Sequence, residues 1–110
     1  MKIPNAEQAV VDIRKLRDYC LNTEHRSGKH KAKLFESLLG LQVENAEALQ
    51  LTLLEIVKTH EAELGDKNEY GQRYQITFAL TWSERTANIL SAWIVRPDEG
   101  FPVLVTCYPV

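Results

Sequence analysis

The chain has 110 residues, 45% hydrophobic and 25% charged, with a net charge of −2. That is the size of one domain (1–110) with one core. It excludes a membrane span, for which no apolar run approaches the roughly 20 residues required, and a grossly basic nucleic-acid binder. No apolar stretch follows Met1–Asn5 as in a secretory leader, so the expected location is the cytoplasm. The charge is uneven. Residues 1–33 carry eight Lys/Arg against four Asp/Glu, and residues 34–110 carry five against eleven. A basic face on an acidic body suits a site for one anionic ligand better than a long nucleic-acid track.

In chain order, Asp12 reads as an N-cap, followed by Ile13, Leu16, Tyr19 and Cys20 at helical spacing, so a first helix is expected over about Ile13–Leu21. Ser27 is the candidate cap of a second helix, whose apolar stripe reads Leu34, Phe35, Leu38 and Leu39. Gly40 suits the left-handed residue after it. A third helix runs from about Asn45 to His60, with Ala46, Leu49, Leu53, Ile56 and Val57 inward and Gln50 interrupting the stripe. His60 would cap its last carbonyls. The period then changes from 3.6 to 2. Tyr74, Ile76, Phe78 and Leu80 alternate with polar residues. Ser83–Arg85 makes a turn. Ala87, Ile89, Ser91, Trp93 and Val95 share one face of the next strand, and Val103–Tyr108 forms a third. A weaker strand near Glu61–Leu64 pairs at an edge, and Gly71 permits a bend. Helices first and a strand meander second predict an α+β fold, with about three N-terminal helices packed on one face of an antiparallel sheet of about four strands.

Titratable chemistry gathers in Asn22–Phe35. Lys29, Lys33 and Glu36 share the outer face of the second helix. Lys31, three, four and seven residues before Leu34, Phe35 and Leu38, lies on the buried stripe. A lysine there either snorkels to water or meets an anion such as phosphate. Histidine is the side chain whose unperturbed pKa suits acid–base work near neutral pH, and His25, between Glu24 and Arg26, is a candidate for it, or it is simply a solvated loop residue. Cys20 and Cys107 read as small buried hydrophobes, and no spacing suggests a metal site or cofactor loop. On the strands, Ser91 and Trp93 share a face, as do Thr106 and Tyr108, with Arg73, Tyr74 and Arg96 flanking them. That face is either solvated or a platform on which bases stack and phosphates are held.

Lys15, Leu16, Tyr19, Leu21, Asn22, His25, Gly28, Lys31, Ala32 and Phe35 match a pattern K-L-x-x-Y-x-L-N-x-x-H-x-x-G-x-x-K-A-x-x-F. Tyr70, Gly71 and Tyr74 match Y-G-x-x-Y. Trp93 and Val95, then Phe101, Pro102, Leu104, Val105, Thr106 and Tyr108, match W-x-V and F-P-x-L-V-T-x-Y. In these blocks the chain resembles an uncharacterised family of small bacterial domains, found alone and as the tips of polymorphic toxins. That family is similar to the barnase–EndoU–RelE-like ribonucleases. It often has Pro where this chain has Arg26. The resemblance implies a metal-independent endoribonuclease toxin of a toxin–antitoxin or related conflict system, without a cofactor. RNA would be its substrate and a small antitoxin or immunity protein, barrel-like in form, its partner. His25, Lys31 and Thr106 would be catalytic. Tyr74, Arg73, Ser91, Trp93, Arg96 and Tyr108 would bind substrate. The alternative is a non-catalytic immunity or adaptor module with a decayed site on the same fold.

Overall fold

The computed structural model describes residues 1–110. Asp12 opens the first helix as its position suggests, accepting the Arg14 backbone N–H at 2.9 Å. The helix begins as a short α-turn, α1 (Ile13–Lys15), and widens into a π-turn (Leu16–Cys20). There the Leu21 N–H reaches back five residues to the Leu16 carbonyl. Leu16 and Cys20 are buried and Tyr19 is half-buried.

Helix α2 (Lys29–Leu39) buries Ala32, Phe35 and Leu39. This corrects the expected stripe: Leu34 and Leu38 are exposed on its flank. Both phases contain Phe35, and only the packed helix shows which one points at the core. Gly40, at φ 76°, ends the helix in the left-handed turn that its position predicts. After a 3-10 turn (Val43–Asn45), α3 (Ala46–Thr59) buries Ala46, Leu49, Leu53 and Val57. Gln50, the polar break in that stripe, donates to the Val11 carbonyl at 2.7 Å and ties α3 to the segment before α1. His60 closes α3 through its backbone N–H to Ile56 rather than through its ring, which meets the Thr59 hydroxyl.

The sheet has four antiparallel strands in the order β1-β2-β3-β4: β1 (Glu63–Asn68), β2 (Gly71–Trp82), β3 (Arg85–Val95) and β4 (Pro102–Pro109). The fold is thus α+β, three helical elements followed by an antiparallel meander. Tyr74, Ile76, Phe78 and Leu80 of β2, Ile89, Ser91 and Trp93 of β3, and Leu104 and Cys107 of β4 are buried on the side that carries the helices. Gln75, Thr77 and Ala79 are exposed on the other. β1 is exposed along its whole length. At the opposite edge, Val10 bridges Val103 in parallel, so only the early part of β4 is covered by backbone. The β3–β4 register slips between Ala92 and Trp93, where one residue of β3 faces Thr106 and the next faces Leu104. Val105 is the extra residue, a bulge that sharpens the local twist at the late part of β4.

Candidate functional site

The late part of β4, the first helix and the His25 loop enclose an open cleft of about 670 Å³. Tyr19, His25, Lys31 and Thr106 lie along it, with Asp12, Arg14, Lys15 and Asp18 among its lining.

Lys31 is its centre. Its Nζ donates to the Tyr19 hydroxyl at 3.0 Å and to Thr106 Oγ1 at 3.4 Å. The same ammonium stands 5.1 Å from the centroid of the Tyr19 ring and 5.0 Å from that of Tyr108, within cation–π range of both. Lys31 is half-buried, and none of the ion pairs in the protein includes it. An ammonium drawn partly out of water and met by hydroxyls and no carboxylate has the chemistry to receive an anion. On the rim, by contrast, Asp12 is spent. The Arg14 guanidinium grips both its oxygens, at 3.1 and 2.8 Å, and holds its carboxyl down to about 2.

His25 does a job that its position did not announce. Its Nδ1 accepts the backbone N–H groups of Ser27 at 3.0 Å and Gly28 at 2.9 Å. The ring therefore satisfies amides at the start of α2, the role expected of Ser27, whose side chain caps nothing. The hydrogen-bond pattern assigns the tautomer: Nδ1 is the acceptor, so the proton of the neutral ring sits on Nε2. In this form His25 offers the cleft a hydrogen-bond donor, and its basic nitrogen is engaged by backbone amides. The ring also stands edge-on to Tyr19, with centroids 4.9 Å apart. Gly28 completes the packing. A Cβ there would lie 2.6 Å from the Tyr19 carbonyl oxygen and 3.0 Å from its ring.

Behind Thr106 lie the two cysteines, both fully buried. Cys20 Sγ is 3.9 Å from Thr106 Oγ1. A hydrogen bond from Cys107 lowers the Cys20 thiol to about 7, with Thr106 and the charge of Lys31 pulling the same way against burial. The same hydrogen bond, together with burial, pushes Cys107 up.

The structure brings together His25, Lys31, Thr106 and Tyr108 and separates them from the other residues expected to bind substrate. Ser91 and Trp93 are fully buried, with the Trp93 indole N–H donating to Ser91 Oγ and that hydroxyl to the Ile76 carbonyl, each at 2.9 Å. They are a satisfied polar pair inside the core, and Tyr74 is buried beside them. Their face is the covered one, which corrects its reading as an open platform. Arg73, with the edges of Tyr74 and Trp93, borders a different hollow of about 230 Å³ next to β1. Arg96 pairs with Glu99 at 3.2 Å outside the cleft. Tyr19 is the cleft residue that helical spacing concealed, because it counted as an ordinary member of an apolar stripe. For Tyr19 the signal was its place in the same block as His25, Gly28 and Lys31.

Comparison with solved structures finds the same fold in a chain of the contact-dependent growth inhibition toxin–immunity protein complex from Klebsiella pneumoniae 342. The TM-score is 0.70 over 94% of this chain and 95% of that one, at 17% sequence identity. No curated protein matches the sequence. Among family models, the domain of unknown function DUF6883 matches residues 2–110. Over essentially its whole length, then, the chain belongs to the DUF6883 family.

Proposed function

We propose that the protein is an endoribonuclease toxin of a bacterial toxin–antitoxin or related conflict system. RNA is its substrate and a small cognate antitoxin or immunity protein its partner. The observation that carries the reading is the unpaired Lys31 ammonium, gathered with the Tyr19 and Thr106 hydroxyls and His25 along one open cleft. The fold shared with a chain of a toxin–immunity complex supports the biological setting. In the proposed reaction the RNA 2′-oxygen attacks the adjacent phosphorus and the bond to the 5′-oxygen breaks. The products are a 2′,3′-cyclic phosphate and a 5′-hydroxyl, and no metal takes part. Lys31 neutralises charge on the non-bridging oxygens. The Nε2–H of His25 and the hydroxyl of Thr106 donate to them, contributions that typically amount to 10²–10³-fold each. Tyr108 lends its ring to the Lys31 ammonium.

The test is cleavage of RNA by purified protein in the presence of EDTA. Wild type should cut, and His25→Ala and Lys31→Ala should each lose roughly 100-fold or more. Undiminished cutting by both variants would sink the assignment. A second reading, an immunity or adaptor module, is favoured by one feature: the exposed outer edge of β1, a surface to which a partner strand could add. Expression in a bacterial host separates the two. A toxin arrests growth unless its partner is co-expressed, and a binding module leaves growth unchanged.

A further inference from the structure

Three residues of the His25–Lys31 stretch converge on one side chain of the first helix, Tyr19. Gly28 packs against its ring and carbonyl so closely that a Cβ would collide. His25 stands edge-on to it. Lys31 binds its hydroxyl. The π-turn helps to put it there. Its i→i+5 bond, Leu21 N–H to Leu16 O at 2.8 Å, takes an extra residue into the turn, and such turns recur at functional sites. Lysine has only donors, so the Tyr19 oxygen accepts the 3.0 Å bond and its own O–H is free for another partner.

We propose that Tyr19 is the proton donor to the leaving 5′-oxygen, a role that rests on the RNA-cleavage reading above. The argument is one of elimination within the cleft. The departing 5′-oxygen needs a proton. His25 in its capping tautomer would have to give up Nε2–H and become an imidazolate. Thr106 would become an alkoxide, and Lys31 would give up the positive charge that neutralises the phosphate oxygens. A phenol, with an ordinary pKa near 10, is by far the more acidic hydroxyl. The phenolate it leaves is met by the Lys31 ammonium along an existing hydrogen bond. As the P–O5′ bond breaks, its electron pair stays on O5′ and takes the Tyr19 proton. The 2′-hydroxyl loses its proton to water, and the phenolate is later reprotonated from water, so protons and electrons balance.

Tyr19→Phe keeps the ring against Gly28 and His25 and removes only the proton. Two substrates should be compared: an RNA oligonucleotide and uridine 3′-(p-nitrophenyl phosphate), whose p-nitrophenolate departs without protonation. The variant should lose 10²–10⁴-fold in kcat on RNA with KM nearly unchanged, and should cut the ester within about threefold of wild type, a gap that only a lost acid produces. Equal RNA cleavage by wild type and Tyr19→Phe overturns the role, as does equal impairment on both substrates, which would make Tyr19 merely structural or leave Lys31 as the donor. If wild type cuts neither substrate, the cleavage reading itself fails, an outcome distinct from those two.

Discussion

At the scale of single residues, most positions of the motif from Lys15 to Phe35 have a physical task. Leu16, Leu21, Ala32 and Phe35 are core. Asn22 turns the chain by donating to the Asp18 carbonyl and accepting the Glu24 N–H. Gly28 admits Tyr19. Gly28→Ala should therefore cost about 1–3 kcal/mol, since backbone rather than a flexible side chain must give way. It should also lower RNA cleavage by displacing Tyr19, and urea unfolding with a parallel assay checks both. Ser91→Ala strips the Trp93 indole of its acceptor deep in the core and should destabilise by about 1–3 kcal/mol without touching the cleft. The cysteines make stability depend on pH. Cys20 titrates at about 7 in the fold, because its ionised form is held by Cys107, and near its ordinary value of roughly 8.5 in the unfolded chain. The native state thus sheds this proton first. Stability rises as pH climbs through 7 towards 8.5 and is lost as pH falls through 7. Cys107 is shifted the other way and opposes the rise above roughly 8.5. A Tm–pH profile should rise across that window in wild type and lie flat there in Cys20→Ser.

At the scale of elements, the caps and turns show where local rules hold and where contacts override them. Asp12 does what its position predicts, but α2 is capped by His25 from three residues upstream of Gly28. His25→Ala should accordingly cost about 1 kcal/mol of stability, and Ser27→Ala should fall within about 0.5 kcal/mol of wild type. Chemical denaturation of the pair decides which residue is the cap. The β2–β3 hairpin places Ser83 at φ 51° and Glu84 at φ 69°, both left-handed and neither glycine. Asn-Gly is the sequence preferred for such a two-residue turn. The double substitution Ser83→Asn with Glu84→Gly should stabilise by about 1 kcal/mol, measured as a rise in Tm, since the left-handed conformation costs an ordinary residue roughly 1–2 kcal/mol. Lys31 shows how far helical phase can be trusted. Its spacing to Phe35 puts it on the inner face, and there it is, whereas the same stripe mistook Leu34 and Leu38 for core.

At the scale of the whole molecule, the positive N-terminal third supplies Arg14, Lys15 and Lys31 to the cleft beside β4, while the rest of the chain is acidic. If three or four phosphates of a single strand are held there, log K should fall with log salt at a slope of about −2 to −3, roughly 0.7 per contact. Fluorescence titration of a labelled RNA blocked at its 2′-hydroxyls against the wild-type protein at several salt concentrations reads that slope, and a flat response would favour a protein partner over RNA.

The amino-acid sequence by itself determined the α+β order, the four-stranded meander, the left-handed close of α2 at Gly40 and the inward turn of Lys31. Each depends on a local period or a local backbone preference. Only the tertiary structure decided which sheet face the helices cover, and so that Ser91 and Trp93 are core. Strand alternation separates two faces but does not say which one meets the helices. It alone gathered Tyr19 and Thr106 on the Lys31 ammonium, because Lys31 lies 12 residues from one and 75 from the other, and the meeting depends on a π-turn and a bulge that no periodicity encodes. It alone showed the Nδ1 of His25 spent on backbone amides, which leaves the ring a donor in the cleft.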